Sequence, residues 1–289
     1  MKTAQLRRAM RVALGAAPQQ IGIFDAGREA DTLLCLQLHC DTASLLLRAE
    51  QPLSDADCEE AMKLCARRLA GEPLQYICGE TDFFGLRFAV RPGVLIPRQD
   101  SEILAEEALR EEIGGTVYDF CCGSGCLLLS VLQAREELHG IGVDLSDEAL
   151  ALSRENARRH GLSARARFEK YDVLNAAQPL SDAALVLCNP PYIRSAVCDE
   201  LDRTVLQEPR MALCGGEDGL LFYRTLIPYF HAVLPQGARV LFEIGYDQGG
   251  LLAFAKRYFP LAELKKDYGG NDRMLILRQT KPKTEQKQT

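Results

Sequence analysis

No C-x-x-C pair occurs among the eleven cysteines, which stand scattered at positions 35, 40, 58, 65, 78, 121, 122, 126, 188, 198 and 214. Structural zinc sites need ligands at such short spacings, so no metal site is expected. Met1 to Ala17 mixes Lys2, Arg7, Arg8 and Arg11 among apolar residues and lacks the unbroken apolar run and cleavage site of a secretory signal. No apolar stretch is long enough to span a bilayer, so no membrane partner is expected. The cysteines then read as small, buried, reduced hydrophobes, and the chain as cytoplasmic. Positive charge is not in excess either: 34 Lys and Arg against 40 Asp and Glu leave a formal charge of -6. Phosphate backbones are gripped by clustered Lys and Arg, so direct nucleic-acid binding is not expected.

What remains is an ordinary globular composition, 47% apolar and 26% charged, over 289 residues, enough for two unequal domains. From Thr3 to about Leu69 apolar residues recur three and four apart, as in Leu33, Leu36, Leu45 and Leu46 and in Met62, Cys65 and Leu69, which predicts helices. Leu53-Ser54-Asp55-Ala56-Asp57 reads as a staple and N-cap for the helix carrying Cys58 to Leu69. Between Gly71 and Pro97 aromatic and β-branched residues alternate around glycines and prolines, the texture of a β-hairpin. After a helical stretch from Ser101 to Glu112, strand-like and helical segments alternate to the end. Strands are predicted at Val117–Cys121, Gly140–Val143, Ala166–Glu169, Ala184–Cys188, Arg239–Ile244, Leu261–Lys265 and Met274–Arg278. Seven strands in this rhythm suit one open, mostly parallel sheet of an α/β fold. The expected partition is a helical domain over residues 1–75, a hairpin connector over 76–97, a catalytic domain over 98–280 and a frayed polar tail over 281–289.

The first strand of the sheet runs into Cys122-Gly123-Ser124-Gly125 and then a helix starting near Cys126. Open α/β sheets bind ligands past the carboxyl ends of their strands, where glycines admit a ligand to the backbone and a helix start offers free N–H groups. The second strand ends in Val143-Asp144, 21 residues beyond Gly123, where a carboxylate can accept from both hydroxyls of a ribose. A third acid, Asp172, follows the next strand and is placed for an adenine amino group. The loop lacks the full G-x-G-x-x-G spacing that seats a pyrophosphate, so a nucleoside without phosphate fits better than a dinucleotide.

The strand Leu185-Val186-Leu187-Cys188 stops at Asn189-Pro190-Pro191-Tyr192. Prolines cannot continue a sheet, and two in a row stiffen the turn and leave carbonyls free of strand pairing. A planar NH2 group is a poor nucleophile because its lone pair is delocalised, so holding it matters more than deprotonating it. If the Asn189 side-chain oxygen and the Pro190 carbonyl each accept one N–H, the nitrogen is fixed and its developing positive charge is stabilised. Tyr192 would wall the flat group, and no strong base is needed.

These residues resemble a family. Gly71-Glu72-Pro73-Leu74-Gln75-Tyr76-Ile77, Leu95-Ile96-Pro97-Arg98-Gln99-Asp100-Ser101-Glu102 and Asn189-Pro190-Pro191-Tyr192 resemble the peptide chain release factor glutamine methyltransferases. Glu208-Pro209, Gly215-Gly216-Glu217-Asp218-Gly219-Leu220, Glu243-Ile244-Gly245 and Asp272-Arg273 extend the likeness nearly end to end. The resemblance implies a class I S-adenosylmethionine-dependent methyltransferase fold behind a small N-terminal helical domain. It implies methyl transfer from S-adenosyl-L-methionine, leaving S-adenosyl-L-homocysteine, to the glutamine amide of the Gly-Gly-Gln motif in class 1 peptide chain release factors. In family terms Cys121, Cys122, Gly123, Ser124 and Gly125 line the methionine and ribose, Asp144 the ribose, Asp172 and Val173 the adenine. Asn189, Pro190, Pro191 and Tyr192 take the substrate amide, with Asn189 also bordering the cofactor, and a monomer is expected. Two positions depart from the pattern: Cys121 stands where glycine is common, and Gln99 where a second proline is. A negative φ at Cys121 would tolerate the exchange, and a positive φ would strain it.

Two rival readings stand beside this one. An adenine-N6 nucleic-acid methyltransferase would present the same planar NH2 to the same loop, but residues 1–85 hold 9 Lys and Arg against 12 Asp and Glu. A non-catalytic scaffold that keeps the cofactor fold would have no use for an intact proline corner.

Overall fold

The computed structural model describes residues 1–110, 114–175 and 179–280. The expected frayed tail, 281–289, and the end of the expected helix at 111–112 lie outside the described residues. Among the described residues no helix is long and apolar enough to cross a membrane, and no cluster of His, Cys, Asp or Glu is placed to hold a metal ion.

The chain divides into two compact units. The first runs from Met1 to Glu80 and takes in Glu200–Glu208. Its helices span Thr3–Gly15, Ala26–Leu38, Thr42–Leu47, Asp55–Leu69 and Leu74–Cys78. Their apolar faces meet in a core of Leu6, Met10, Leu14, Leu33, Leu34, Leu45 and Cys65, which is why the three-and-four spacing was visible. Ser54 caps the fourth helix by accepting from the N–H of Asp57 at 3.0 Å. Arg68 is buried in this unit, donating to Glu29 at 2.7 Å and to the carbonyls of Ile21 and Gly22. A buried guanidinium costs several kcal/mol in lost hydration, which these acceptors offset. The segment 200–208 contributes Thr204, whose hydroxyl donates to the Ile21 carbonyl at 2.6 Å.

The second unit begins with the expected hairpin, β1 (Glu80–Phe83, of which Glu80 belongs to the first unit) and β2 (Leu86–Ala89). The sheet follows: β3 (Thr116–Phe120), β4 (His139–Asp144), β5 (Ala166–Lys170), β6 (Ala183–Cys188), β7 (Arg239–Glu243), β8 (Glu263–Lys266) and β9 (Asp272–Arg278). All seven predicted strands are present within two residues at either end. Spatial order is β5-β4-β3-β6-β7-β9-β8, with β9 alone running against its neighbours. The chain winds outward from β3 to β5 and then returns to β6 on the other side of β3. That reversal opens a crevice beyond the carboxyl ends of β3 and β6. Apolar cores lie against the two faces, one including Leu128, Leu129, Leu185 and Leu187, the other Phe120, Val186, Phe230 and Phe242.

Register decides which residues meet at that edge. Phe120 pairs with Cys188 and Cys188 with Phe242. The next residue along each strand is therefore Cys121, Asn189 or Glu243, side by side at the carboxyl edge.

Candidate active site

A cavity of about 330 Å³ occupies the crevice, within the range of small-ligand pockets. Of the sequence-predicted site residues, Cys121, Cys122, Gly123, Ser124, Asp144, Asp172, Val173, Asn189 and Pro191 line it. Gly125, Pro190 and Tyr192 do not. Gly125 stands one residue behind, at φ 78°, starting the helix Cys126–Ala134; a Cβ there would sit 3.0 Å from that of Ser153 and 3.2 Å from the Phe168 ring.

Main-chain bonds shape the cofactor side. The Cys122 N–H donates to the Val143 carbonyl at 3.1 Å, tying the loop to β4. The Asp144 carboxylate accepts from the Gly123 N–H at 2.9 Å through Oδ2 and from the Ser146 N–H at 2.9 Å through Oδ1. Each oxygen keeps a lone pair, and two acceptors at that separation suit a vicinal diol. Burial raises the Asp144 carboxyl above its ordinary range, while the bonds from Ser146 and Gly123 oppose the rise. Asp172 accepts from the Leu174 N–H at 3.0 Å and from the Asn175 side chain at 2.7 Å, a turn that orients it along the cavity wall. Ribose-type acceptors and an apolar wall that includes Leu145, Val173 and Leu174 fit a nucleoside cofactor.

Cys121 has φ 62°. The negative φ that would have tolerated a side chain at this position is not what the backbone adopts, so the exchange from glycine is strained, at a cost of about 1 kcal/mol. The reason is the sharp turn from β3 into the loop. The strain does not displace the loop, since the bonds of Cys122 and Gly123 are made.

On the chemical side, Pro190 ends β6 because it has no N–H to donate to the ladder. Among the described residues no protein donor reaches Asn189 Oδ1 or the Pro190 carbonyl, so both acceptors are free. Asn189 Nδ2 donates to Ser101 Oγ at 3.1 Å. The Tyr192 hydroxyl donates to Glu243 Oε1 at 3.2 Å, and burial together with the Glu243 charge pushes that phenol up. The Tyr192 carbonyl accepts from Gln248 Nε2 at 3.0 Å. Gly219 backs the same carbonyl: a Cβ there would lie 2.3 Å from it, at φ 77°.

Ser101, Glu243 and Gln248 were not read as site residues from the sequence. For Glu243 a signal existed, since an acid closing the apolar strand Val240-Leu241-Phe242 is a buried charge that needs a reason. For Ser101 and Gln248 only the fold supplies it.

A seven-stranded sheet in this order, with one antiparallel strand near its far edge and a crevice where the winding reverses, is the plan of a class I S-adenosylmethionine-dependent methyltransferase. The catalytic domain of hMettl16 in complex with a MAT2A 3'UTR hairpin shares this fold, at a TM-score of 0.55 and 14% identity over 80% of this chain and 84% of that one. The family models described as PrmC N-terminal domain and methyltransferase small domain match residues 14–79 and 97–223. The release factor glutamine methyltransferase of Moorella thermoacetica is 38% identical over 276 residues, covering 92% of this chain and 97% of its own. That of Geobacter sulfurreducens is 36% identical over 260 residues, covering 88% and 90%. The chain belongs to the release factor glutamine methyltransferases.

Proposed function

We propose that this protein methylates the side-chain amide nitrogen of the glutamine in the Gly-Gly-Gln motif of peptide chain release factors, using S-adenosyl-L-methionine. The observation that carries the reading is Asn189: it lines the same cavity as Asp144, and its Nδ2 is taken up by Ser101, which leaves the amide oxygen for a substrate. The cofactor supplies an electrophilic methyl on a sulfonium. The protein's share is to bind it by Asp144 and the loop Cys121 to Gly125, with Asp172 and Val173 toward the base, and to hold the incoming NH2. Two oxygen acceptors fix both hydrogens of the amide, which orients the nitrogen lone pair and stabilises the positive charge that builds there. No group in this scheme must take a proton before the bond forms; the surplus proton leaves the cationic amide afterwards, when it is strongly acidic. Tyr192, which does not line the cavity, stiffens the corner from behind through Glu243 and Gln248. The helical unit is proposed as the surface that docks the release factor, in the cytoplasm, with the enzyme acting as a monomer. Incubation with S-adenosylmethionine and a purified release factor, followed by peptide mass spectrometry, is expected to place one methyl on that glutamine. Methyl on nucleic acid and none on glutamine would overturn the reading.

A further inference from the structure

Asn189 can serve as an acceptor only if its amide is turned the right way round, because oxygen and NH2 are almost the same size and nothing steric distinguishes them. The structure contains a device that distinguishes them. Ser101, 3% exposed, stands between Asn189 and Glu243, which is 1% exposed. Its hydroxyl donates to Glu243 Oε2 at 2.5 Å and accepts from Asn189 Nδ2 at 3.1 Å. A serine has one hydrogen; once that is committed to a carboxylate, only lone pairs remain for its other neighbour. A neighbour facing lone pairs must present N–H, so the Asn189 oxygen is obliged to face the opposite way, into the cavity.

Each member of the chain is fixed in its turn. Glu243 follows Phe242, whose partner across β6 and β7 is Cys188, the residue before Asn189, so the sheet itself sets the carboxylate beside the corner. The Tyr223 hydroxyl donates to the Glu243 carbonyl at 2.6 Å and holds its main chain. The Tyr192 hydroxyl occupies Oε1, so both carboxylate oxygens act as acceptors. The positive charge of Arg273 opposes the rise that burial gives the Glu243 carboxyl and favours the acceptor-only form. Ser101 comes from the short turn Gln99–Ser101 ahead of the helix Glu102–Leu109, more than eighty residues from either partner in sequence.

We propose that Glu243 and Ser101 are positioning residues for methyl transfer: the carboxylate takes the serine's hydrogen, and the serine then sets the Asn189 amide with its oxygen toward the substrate. The inference rests on the proposed function and adds to it the reason that Asn189 points its acceptor, rather than its donor, at an NH2 group. Presented the other way round, Asn189 would place two N–H groups against the substrate's own N–H, a repulsive contact at the reacting atom.

Five proteins test it: wild type, Ser101→Ala, Ser101→Thr, Glu243→Gln and the double variant of Ser101→Ala with Glu243→Gln, each measured for kcat and KM on a purified release factor, for S-adenosylhomocysteine affinity by calorimetry, and for Tm. Ser101→Ala is expected to lower kcat about 100-fold, the scale of a misplaced reacting group, with KM and cofactor affinity within about threefold. Ser101→Thr keeps the hydroxyl and is expected to recover most of the loss. Glu243→Gln offers its own NH2 to Ser101, reverses the order of donors, and is expected to fall as far as Ser101→Ala. Combining the two is expected to cost little more than either, because they act through one bond. The inference is overturned if Ser101→Ala turns over like wild type, if Ser101→Thr is no better than Ser101→Ala, or if the loss follows cofactor affinity or Tm instead of kcat. Wild type that methylates no release factor overturns the proposed function and this inference with it, whereas turnover that survives Ser101→Ala overturns this inference alone.

Discussion

At the glycine loop, the groups that face the cavity are fixed by main chain and near neighbours: Gly123 and Ser146 hold Asp144, and Val143 holds Cys122. At the proline corner the supports are side chains from far along the chain, Ser101 to Asn189, and Glu243 and Gln248 to Tyr192. A main-chain cradle tolerates little change of backbone but much change of side chain, as the cysteine at 121 illustrates. A corner held by hydroxyl, carboxylate and amide partners is sensitive to single atoms. On the proposed roles, binding resides in a geometry that many sequences can make, and the chemistry in a small set of side chains that must all be correct.

Substitutions on the two sides should separate these roles. Asn189→Ala should lower kcat by about 10²–10³, the usual cost of removing one aimed polar group at a reacting centre, while S-adenosylhomocysteine affinity by calorimetry stays within a few fold; an equal loss of both would merge the two halves into one. Gly219→Ala comes next. It drives a Cβ against the Tyr192 carbonyl at a positive φ, and should cost about 2–3 kcal/mol in chemical denaturation, together with part of the turnover. Asp144→Ala should weaken S-adenosylhomocysteine about 10–100-fold, the worth of one or two hydrogen bonds to a charged group, and leave kcat at saturating cofactor nearly unchanged.

A separate effect, on stability alone, is one of pH. Asp119, on β3 beneath the loop, is fully buried, accepts a single 3.3 Å bond from the Leu128 N–H and leaves Oδ1 without a partner. Burial pushes its carboxyl from 3.8 up to about 8. Between those values the folded protein holds a proton that the unfolded chain has lost. That contribution is complete below pH 3.8 and declines as pH climbs through about 8. Asp119→Asn, which cannot ionise, should flatten the fall of Tm over this range; an unchanged slope would show that the carboxyl is charged in the fold.

The same contrast explains what could be read from sequence. Strand positions, the glycine loop and Asp144 were legible because local chemistry dictates them: a tight strand-to-helix turn needs glycine, and an apolar run between turn residues needs a sheet. The proline corner was legible because two prolines after a buried strand leave few backbone options. Ser101 and Gln248 were not, since only the fold brings them to the corner, and at Glu243 the sequence shows an acid closing an apolar strand but not the partners that register across β6 and β7 gives it. The sign of φ at Cys121 was equally hidden, being set by how sharply β3 must leave the sheet.

The segment Glu200–Glu208 lends a final consequence to the helical unit. Because Thr204 bonds the Ile21 carbonyl and approaches Arg68 at 3.4 Å, that unit is discontinuous in sequence. A fragment cut after Glu80 would be missing one of its own ties. Transplanting the unit onto another enzyme, or exchanging it between relatives, would require carrying a nine-residue piece encoded over a hundred positions downstream.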